Sequence, residues 1–208
     1  MIQYSKYDDD IKKQVYKDYD YICGVDEVGR GPIAGPVLTC AVIMPKDKRI
    51  EGVTDSKKIP HKKLEILSEI IKKEAICYSY GILNSNIIDK INIKNATKLA
   101  MKMAVESLSV KPQICLIDAE KIDIPIKQLN IVKGDLIEYQ ISCASILAKV
   151  RRDEIMDKFD RIYKGYDFIH NKGYGTKKHY EALENLGETP IHRKSFLKKF
   201  YQRQMSFL

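Results

Sequence analysis

The sequence predicts an α/β fold whose chain ends in a basic, helical extension. Apolar runs of strand length alternate with segments that carry apolar residues at helical spacing over residues 1–160. Several of these runs end in a carboxylate or in a glycine-rich turn. Residues 149–208 hold 14 Lys and Arg against 8 Asp and Glu, which is +6 of the formal net charge of +8. We therefore expect a core over residues 1–160 and a basic helical extension over residues 161–208 of the same compact unit.

The composition excludes several classes of protein. With 44% hydrophobic and 31% charged residues, the chain is predicted to be globular rather than disordered. Its charge suits a polyanion, either nucleic acid or an anionic membrane, although a merely solvated basic surface predicts the same composition. No apolar stretch has membrane-spanning length, the start lacks the apolar core of a signal peptide, and the five cysteines form no Cys-x-x-Cys pair. We expect a cytoplasmic monomer with reduced cysteines and no membrane contact.

The first half of the chain contains three predicted strands. A short leader, helical from Asp8, precedes the first strand, and Pro60 starts a helix that carries Leu64 and Leu67 on one face. An antiparallel arrangement of the strands, with this helix across one face, agrees with the short connections. The predicted strands span residues 20–27, 37–44 and 76–83.

The second half alternates in the same way as far as residue 160. Thr176 is predicted to cap a helix that Gly187 stops, and a last basic helix follows Pro190. The other predicted elements are a polar connector over 84–92, helices over 93–108 and about 136–160, and strands at 114–117 and about 129–132.

The first strand delivers two adjacent carboxylates, Asp26 and Glu27, to the glycine-lined turn Gly29-Arg30-Gly31. Buried neighbouring carboxylates repel each other unless a cation or a shared proton offsets the repulsion, and glycines let a ligand approach the backbone. A surface acid pair before an ordinary turn is the alternative. Neighbouring side chains of a regular strand point to opposite faces, so either the chain bends at Asp26 or one residue serves through its carbonyl group.

Two further strands also end at acids, Asp118 and Asp135. In open α/β sheets, ligands bind at the carboxyl ends of the strands, where four acids together would hold two hard cations. Two such ions about 4 Å apart are the arrangement of nucleases and polymerases acting on a phosphodiester. Taken singly, Asp118 is equally well a strand cap and Asp135 an N-cap of the long helix.

These segments resemble bacterial ribonuclease HII, the type 2 ribonuclease H family, and the resemblance spans nearly the whole chain. The glycine-arginine-glycine segment and the helix rich in small residues are its most specific parts. The matching segments are Gly24–Pro32, Asp55–Lys58, Ile88–Ile93, Leu116–Asp118, Val132–Asp135, Ile141–Asp153, Lys172–Thr176 and His192–Phe196.

The resemblance implies a ribonuclease H-like fold, with a five-stranded mixed sheet flanked by helices and a C-terminal helical extension. It implies a metal-dependent endoribonuclease that uses Mg²⁺ or Mn²⁺, with two ions per site. The substrates would be RNA–DNA hybrids and DNA containing single ribonucleotides, cut 5′ of a ribonucleotide to leave 3′-hydroxyl and 5′-phosphate ends. The role would be ribonucleotide excision repair.

Residue by residue, the resemblance assigns roles at the motif positions. Gly29, Arg30 and Gly31 match the segment that senses the 2′-hydroxyl group, which distinguishes RNA from DNA. Tyr174 matches the tyrosine that stacks beside the sugar, although a tyrosine in a surface loop is otherwise unremarkable as one of 13. The metal-binding acids are matched by Asp26, Glu27, Asp118 and Asp135, and phosphate contacts are expected of Lys57, Lys149, Arg151 and Lys172.

A few positions depart from the family or stay open. Ala119 stands where the pattern usually has glycine, and Gln140 where a small residue is more frequent. Asp153 is an outside candidate for a metal ligand, with an ion pair to a basic residue of a neighbouring turn as the favoured alternative. Residues 204–208 loosely resemble a peptide that binds a sliding clamp, or form an amphipathic tail that packs on the body. The four histidines lie in polar, basic stretches, and the acid-rich centre favours metal activation of water over a histidine base: His61, His170, His179 and His192.

Two other functions compete with this hypothesis. A metal-dependent DNA nuclease on the same fold would not need Gly29-Arg30-Gly31 together with Tyr174. A non-catalytic basic module that binds nucleic acid would have no need for four acids that repel phosphates.

Overall fold

The computed structural model describes residues 8–205 and contains a five-stranded sheet in the order β3-β2-β1-β4-β5. β1 pairs antiparallel with β2, and β2 pairs antiparallel with β3, whereas β4 runs parallel to both β1 and β5. The predicted mixed sheet and the antiparallel first three strands are confirmed. The strands are β1 (Ile22–Val28), β2 (Val37–Ile43), β3 (Cys77–Leu83), β4 (Ile114–Asp118) and β5 (Lys127–Ile131).

Helices cover both faces of the sheet and form the C-terminal extension. Their caps follow local sequence: Thr176 accepts a hydrogen bond from the His179 amide at the start of α8, and Gly187 follows its end. The helices are α1 (Asp9–Asp18), α2 (His61–Glu74), α3 (Ser85–Ile91), α4 (Ile93–Glu106), α5 (Gly134–Ile137), α6 (Tyr139–Ile162), α7 (Phe168–Asn171), α8 (Lys177–Leu186) and α9 (Lys194–Met205).

The long helix α6 crosses the sheet at the middle strand, in direct contact with β1 and β2. A Cβ atom added to Gly24 would lie 2.1 Å from the backbone oxygen of Gln140, so only glycine permits this approach. Gln140 itself accepts from the Met44 amide (2.9 Å) and donates to the Met44 carbonyl (3.2 Å). Because a small residue could not form this pair of hydrogen bonds, Gln140 holds the chain that leaves β2.

The C-terminal extension packs onto the segment that follows β1. Ala34 forms an isolated antiparallel bridge with His192, and the amides of Ile33 and Ala34 both donate to the Gly173 carbonyl. A buried apolar cluster joins Ala34 to Phe168 and Leu197. The glycine-rich turn after β1 is therefore held in place by residues near the far end of the chain.

Two local predictions were wrong, and one short helix was missed. Residues 84–92 are not a simple connector but contain α3, whose N-cap Asn84 accepts from the Ile87 amide. The predicted single helix over 136–160 begins as the short α5, and Glu138 N-caps the separate helix α6. The short helix α7 was not predicted, because four residues carry too little periodicity.

All five cysteines are buried free thiols, as predicted from their apolar surroundings. No helix within residues 8–205 is long and apolar enough to cross a bilayer. The division at residue 160 remains a prediction.

Candidate active site

Three carboxylates meet where β1 and β4 end side by side. One oxygen from each of Asp26, Glu27 and Asp118 lies within 4.8 Å of the others. The parallel pairing of β1 with β4 causes this arrangement, because the carboxyl ends of parallel strands share one edge. The structure thus brings together three of the four predicted metal-binding acids.

Glu27 joins this cluster through its side chain, and the chain does not bend at Asp26. The ladder between β1 and β2 continues regularly through Asp26 and Glu27 to Val28. Pairing of β1 with β4 stops at Val25, so the last three residues of β1, from Asp26 to Val28, do not pair with β4. The regular strand argues against the expected bend at Asp26, because the longer Glu27 side chain reaches the cluster without one, and a ligand supplied through a carbonyl group remains a prediction.

Burial and mutual repulsion govern the charge of the cluster. Burial, followed by the Glu27 charge, raises the pKa of Asp26 well above its ordinary value, and a hydrogen bond from Ser145 acts in the opposite direction. Burial also raises the pKa of Glu27, against the pull of Arg30. Burial raises the pKa of Asp118, while the Gly134 amide, 2.7 Å from Asp118 Oδ1, opposes that rise. Each shift shows that the protein alone stabilises the three negative charges incompletely.

Asp135 borders this group without belonging to the three-oxygen cluster. Its Oδ2 lies 3.1 Å from Lys57 Nζ, and its charge raises the pKa of Asp118. Ser142 donates to the Asp135 carbonyl oxygen at 2.9 Å. Because Glu138 is the N-cap of α6, the alternative of Asp135 as the N-cap of the long helix was wrong.

Two serines and one acid extend the site beyond the residues predicted from sequence. Ser145 on α6 hydrogen bonds to Asp26 and lies 3.0 Å from Ser56 Oγ. Glu120 lies 3.4 Å from Arg30, which is also 3.7 Å from Glu27. Ser56 and Ser145 were within matched segments, but Glu120 had no sequence signal apart from its position two residues after Asp118.

The donor set fits a hard divalent cation. Carboxylate oxygens are the ligands that Mg²⁺ and Mn²⁺ prefer, and three of them converge here at a partly buried strand edge. Arg30, whose side chain is 40% exposed, is the cation nearest to Glu27 among the residues in the structure. A bound cation would offset both the burial and the mutual repulsion that raise the three pKa values.

The turn after β1 is held by two buried arginines from the C-terminal half of the chain. Arg193 donates to the carbonyl oxygens of Gly29 (2.6 Å), Arg30 (3.0 Å) and Gly35 (3.0 Å). Arg152 donates to Pro36, Ala34 and Lys172 at 2.8 to 3.3 Å. Burial lowers the pKa of Arg193 to about 9 and that of Arg152 to about 10, so both stay charged near neutral pH.

These contacts set the direction of the backbone amides in the turn. In a trans peptide the C=O and N–H groups point in opposite directions, so anchoring the Gly29 and Arg30 carbonyls turns the Arg30 and Gly31 amides away from Arg193. Neither amide donates to an acceptor in the part of the chain that the structure describes. Both are available for a ligand.

Tyr174 lies beside this turn. A Cβ atom added to Gly31 would lie 3.5 Å from Tyr174 Cε1, and Tyr174 is 48% exposed. Gly29 adopts φ +91°, and a Cβ atom there would meet Arg152 Nε at 2.3 Å. The turn and the tyrosine therefore form one surface next to the carboxylates.

The other predicted basic contacts, like Lys57, have acidic partners. Lys149 pairs with Asp153, which agrees with the favoured expectation of an ion pair for that acid. Lys172 pairs with Asp157, and Arg151 pairs with Glu154 at 2.8 Å. Phosphate contact by these side chains remains a prediction.

The histidine surroundings were predicted wrongly for two of the four residues. His179 and His192 are buried among aromatic rings rather than placed in a polar surface. Sequence alone could not indicate this burial, because their neighbours along the chain are mostly polar, whereas the rings of Tyr166 and Phe168, before and at the start of α7, are their neighbours in space. In the predicted clamp peptide, residues 206–208 lie outside the described residues, and residues 204 and 205 end α9.

Comparison with known proteins gives one consistent result. The model of the ribonuclease HII family matches residues 23–199. A ribonuclease HII of Clostridioides difficile (strain 630) is 55% identical over 183 residues, which make up 88% of this chain and 72% of that protein. The crystal structure of ribonuclease H2 from Pyrococcus horikoshii OT3 has a TM-score of 0.74 at 25% identity, over 88% of this chain and 97% of the other. The ribonuclease HII in the PCNA:RNase HII complex from Archaeoglobus fulgidus shares the fold, with a TM-score of 0.71 at 22% identity over 84% of this chain and 94% of the other.

Proposed function

The chain belongs to the ribonuclease HII family and is a type 2 ribonuclease H, and from this premise we propose its reaction and its site. It hydrolyses the phosphodiester on the 5′ side of a ribonucleotide, leaving 3′-hydroxyl and 5′-phosphate ends. Its substrates are RNA–DNA hybrids and DNA that contains single ribonucleotides, and its role is ribonucleotide removal from DNA. The observation that carries the proposal is the carboxylate cluster of Asp26, Glu27 and Asp118 next to a turn with two unused amides.

Asp26, Glu27, Asp118 and Asp135 are the proposed holders of Mg²⁺ or Mn²⁺, with two ions in the presence of substrate. When bound, such ions activate water and neutralise charge on the leaving oxygen. The protein contributes the positions of the acids: Gly134 holds Asp118, Ser145 holds Asp26, and Lys57 holds Asp135.

Recognition of the ribonucleotide is proposed to come from the backbone amides of the turn after β1 and from the side-chain ring of Tyr174. The 2′-hydroxyl group is both donor and acceptor, so the free amides of Arg30 and Gly31 suit its oxygen. Tyr174, which is half-exposed and lies beside Gly31, is the residue proposed to stack on the adjacent sugar. Lys57, whose side chain is 79% exposed, is available to bind a phosphate next to Asp135.

The first test is cleavage of a labelled DNA duplex that contains one ribonucleotide, with Mg²⁺, Mn²⁺ or a chelator, beside an all-DNA duplex. We expect a metal-dependent cut directly 5′ of the ribonucleotide and no cut of the control. Cleavage of the all-DNA duplex would favour the alternative of a DNA nuclease, and cleavage in chelator would exclude metal catalysis.

A matched pair of variants tests the acid site. Asp118→Asn should abolish detectable cleavage while substrate binding persists or improves, because one negative charge facing the phosphates is lost. Asp123→Asn is the control, because its fully exposed side chain contacts only Lys102, 3.5 Å away, among the residues in the structure. Equal activity of the two variants would contradict the assigned role of Asp118. Loss of the catalytic function with binding intact would also set aside the non-catalytic module.

We also propose that the tail at residues 204–208 binds a sliding clamp and that the free protein is a cytoplasmic monomer. The support for clamp binding is the peptide resemblance together with the archaeal structure, which is a complex with PCNA. Deletion of residues 204–208 should remove co-elution with the clamp and leave the cleavage of short duplexes unchanged. Co-elution of the truncated chain would refute it.

A further inference from the structure

Two buried histidines lie side by side behind the Tyr174 loop, at a position that the proposed chemistry does not use. His179 Nε2 and His192 Nε2 are 3.0 Å apart, and the two residues are 0% and 3% exposed. Two protonated rings could not share this contact, because each would present a donor to the other. At least one ring nitrogen of the pair must therefore act as an acceptor.

The outer contacts settle which nitrogen carries each proton. His179 Nδ1 lies 2.8 Å from the Tyr174 carbonyl oxygen, which can only accept, so Nδ1 of His179 carries a proton. In the neutral ring, Nε2 of His179 then accepts from Nε2–H of His192. His192 Nδ1 in turn accepts from the Thr189 amide at 2.9 Å. One chain of hydrogen bonds thus runs from Thr189 through both rings to the backbone of Tyr174.

The surroundings keep this chain neutral. The ring of Phe168 meets His179 edge-on at 5.2 Å between centroids, and Tyr166 lies 5.2 Å from His192. Burial lowers the pKa of His179, and burial together with His179 lowers the pKa of His192 to about 4. In the neutral pair each donor has one direction, so the two rings can hold the Tyr174 backbone in one position.

The chain of hydrogen bonds ends at Tyr174, the residue proposed to stack on the sugar beside the ribonucleotide. The Tyr174 amide donates to the Asn171 carbonyl at 2.9 Å, so the backbone of Tyr174 is held on both sides. Its ring is half-exposed beside Gly31. Because the ring itself is not buried, its direction depends on how the backbone is fixed.

We propose that His179, supported by His192, is a positioning residue for Tyr174 and thereby for discrimination of the ribonucleotide junction. This inference rests on the proposed stacking of Tyr174 on the sugar. Neither histidine touches substrate; both act through the Tyr174 carbonyl.

The test uses two amide variants that differ by one methylene. Asn at position 179 places its side-chain NH₂ near the site of Nδ1, whereas Gln places it near the site of Nε2. His179→Asn should keep the kcat on a single-ribonucleotide duplex within about threefold, and His179→Gln should lower it about tenfold with KM little changed, which is the scale of one stacking contact. Phe168→Leu is the control, because it loosens the same cluster without removing the donor to Tyr174. Its Tm should fall while its kcat stays near that of the unchanged protein, measured well below the melting temperature.

A double-mutant cycle with Tyr174→Ala separates the possible failures. If His179 acts through Tyr174, His179→Gln should have little further effect on kcat in the Tyr174→Ala background. Additive effects, or equal losses in the Asn and Gln variants, would overturn the positioning role and leave only a structural one. If Tyr174→Ala leaves kcat unchanged, the stacking proposal and this inference are both refuted. If Tyr174→Ala lowers kcat but His179→Gln does not, this inference alone is refuted.

Discussion

Replacement of Arg193 by Met removes the three hydrogen bonds that shape the turn after β1. The carbonyls of Gly29 and Gly35 are buried, whereas Arg30 lies at a half-exposed position where water can replace the donor. Each buried carbonyl without a donor costs about 1–3 kcal/mol, so two of them cost about 2–6 kcal/mol. The variant no longer buries a guanidinium, which offsets part of the loss and places the expected destabilisation at about 2–4 kcal/mol.

Urea unfolding followed by circular dichroism measures this loss, and Tm should fall by about 5–15 °C for a chain of this size. Lys177→Met is the control, since its side chain is 92% exposed and its contact with Glu181 is 3.7 Å long; its stability should change by less than about 0.5 kcal/mol. Arg193→Met should also lose selectivity for a ribonucleotide duplex, because the Arg30 and Gly31 amides are no longer oriented. A loss below about 1 kcal/mol with unchanged selectivity would refute the reasoning.

Three further predictions concern backbone and charge. Ala119→Gly should leave stability unchanged or raise it by up to about 1 kcal/mol in thermal unfolding, because Ala119 has φ +51° and glycine removes that strain at some cost in chain entropy; a clear loss would contradict it. Gly24→Ala should lower stability by about 3 kcal/mol or more, or prevent folding, because the added Cβ atom would collide with the Gln140 backbone. Gly187→Ala is the control: an added Cβ atom there meets no atom within 4 Å, so the variant should show only the smaller strain of φ +79°. Because burial lowers the pKa of His192 to about 4, only the unfolded chain gains this proton as pH falls below about 6.5, so His192 should contribute a drop of about 2 kcal/mol in stability from pH 7 to pH 5, opposite in sign to the contribution of the three acids whose pKa is raised. His192→Gln should reduce that drop, and an unchanged pH dependence in urea unfolding would argue that another group causes it.

The strands and most helices were predictable because their signals are local. The apolar run of β2 has every residue buried, and the apolar positions Leu64 and Leu67 face the core from α2 as their spacing indicated. The acids at the ends of β1 and β4 could be located for the same reason, since strand direction and strand end follow from neighbouring residues. The short helices α3 and α7 were missed because they present too few apolar positions to establish a period.

Tertiary structure decided which distant residues complete the site. Arg193 reaches the Gly29 carbonyl across 164 positions of the chain, and Arg152 reaches Pro36 across 116. In the sequence, both arginines appear among charged residues, which predicts a solvated surface. Their burial is tolerated because backbone carbonyls of a glycine-rich turn accept their donors, and no local pattern encodes that pairing.

The sequence by itself therefore determined the family, the mixed sheet and the residues from which the acids project, because these depend on local pattern and on motif identity. Only the tertiary structure decided that Glu27 joins the cluster from an unbent strand and that Asp135 is held by Lys57 beside it. It also decided that His179 and His192 form a neutral pair behind Tyr174. The physical reason is that burial and hydrogen bonding between remote segments set the charge and orientation of these side chains, and residue order alone does not contain those contacts.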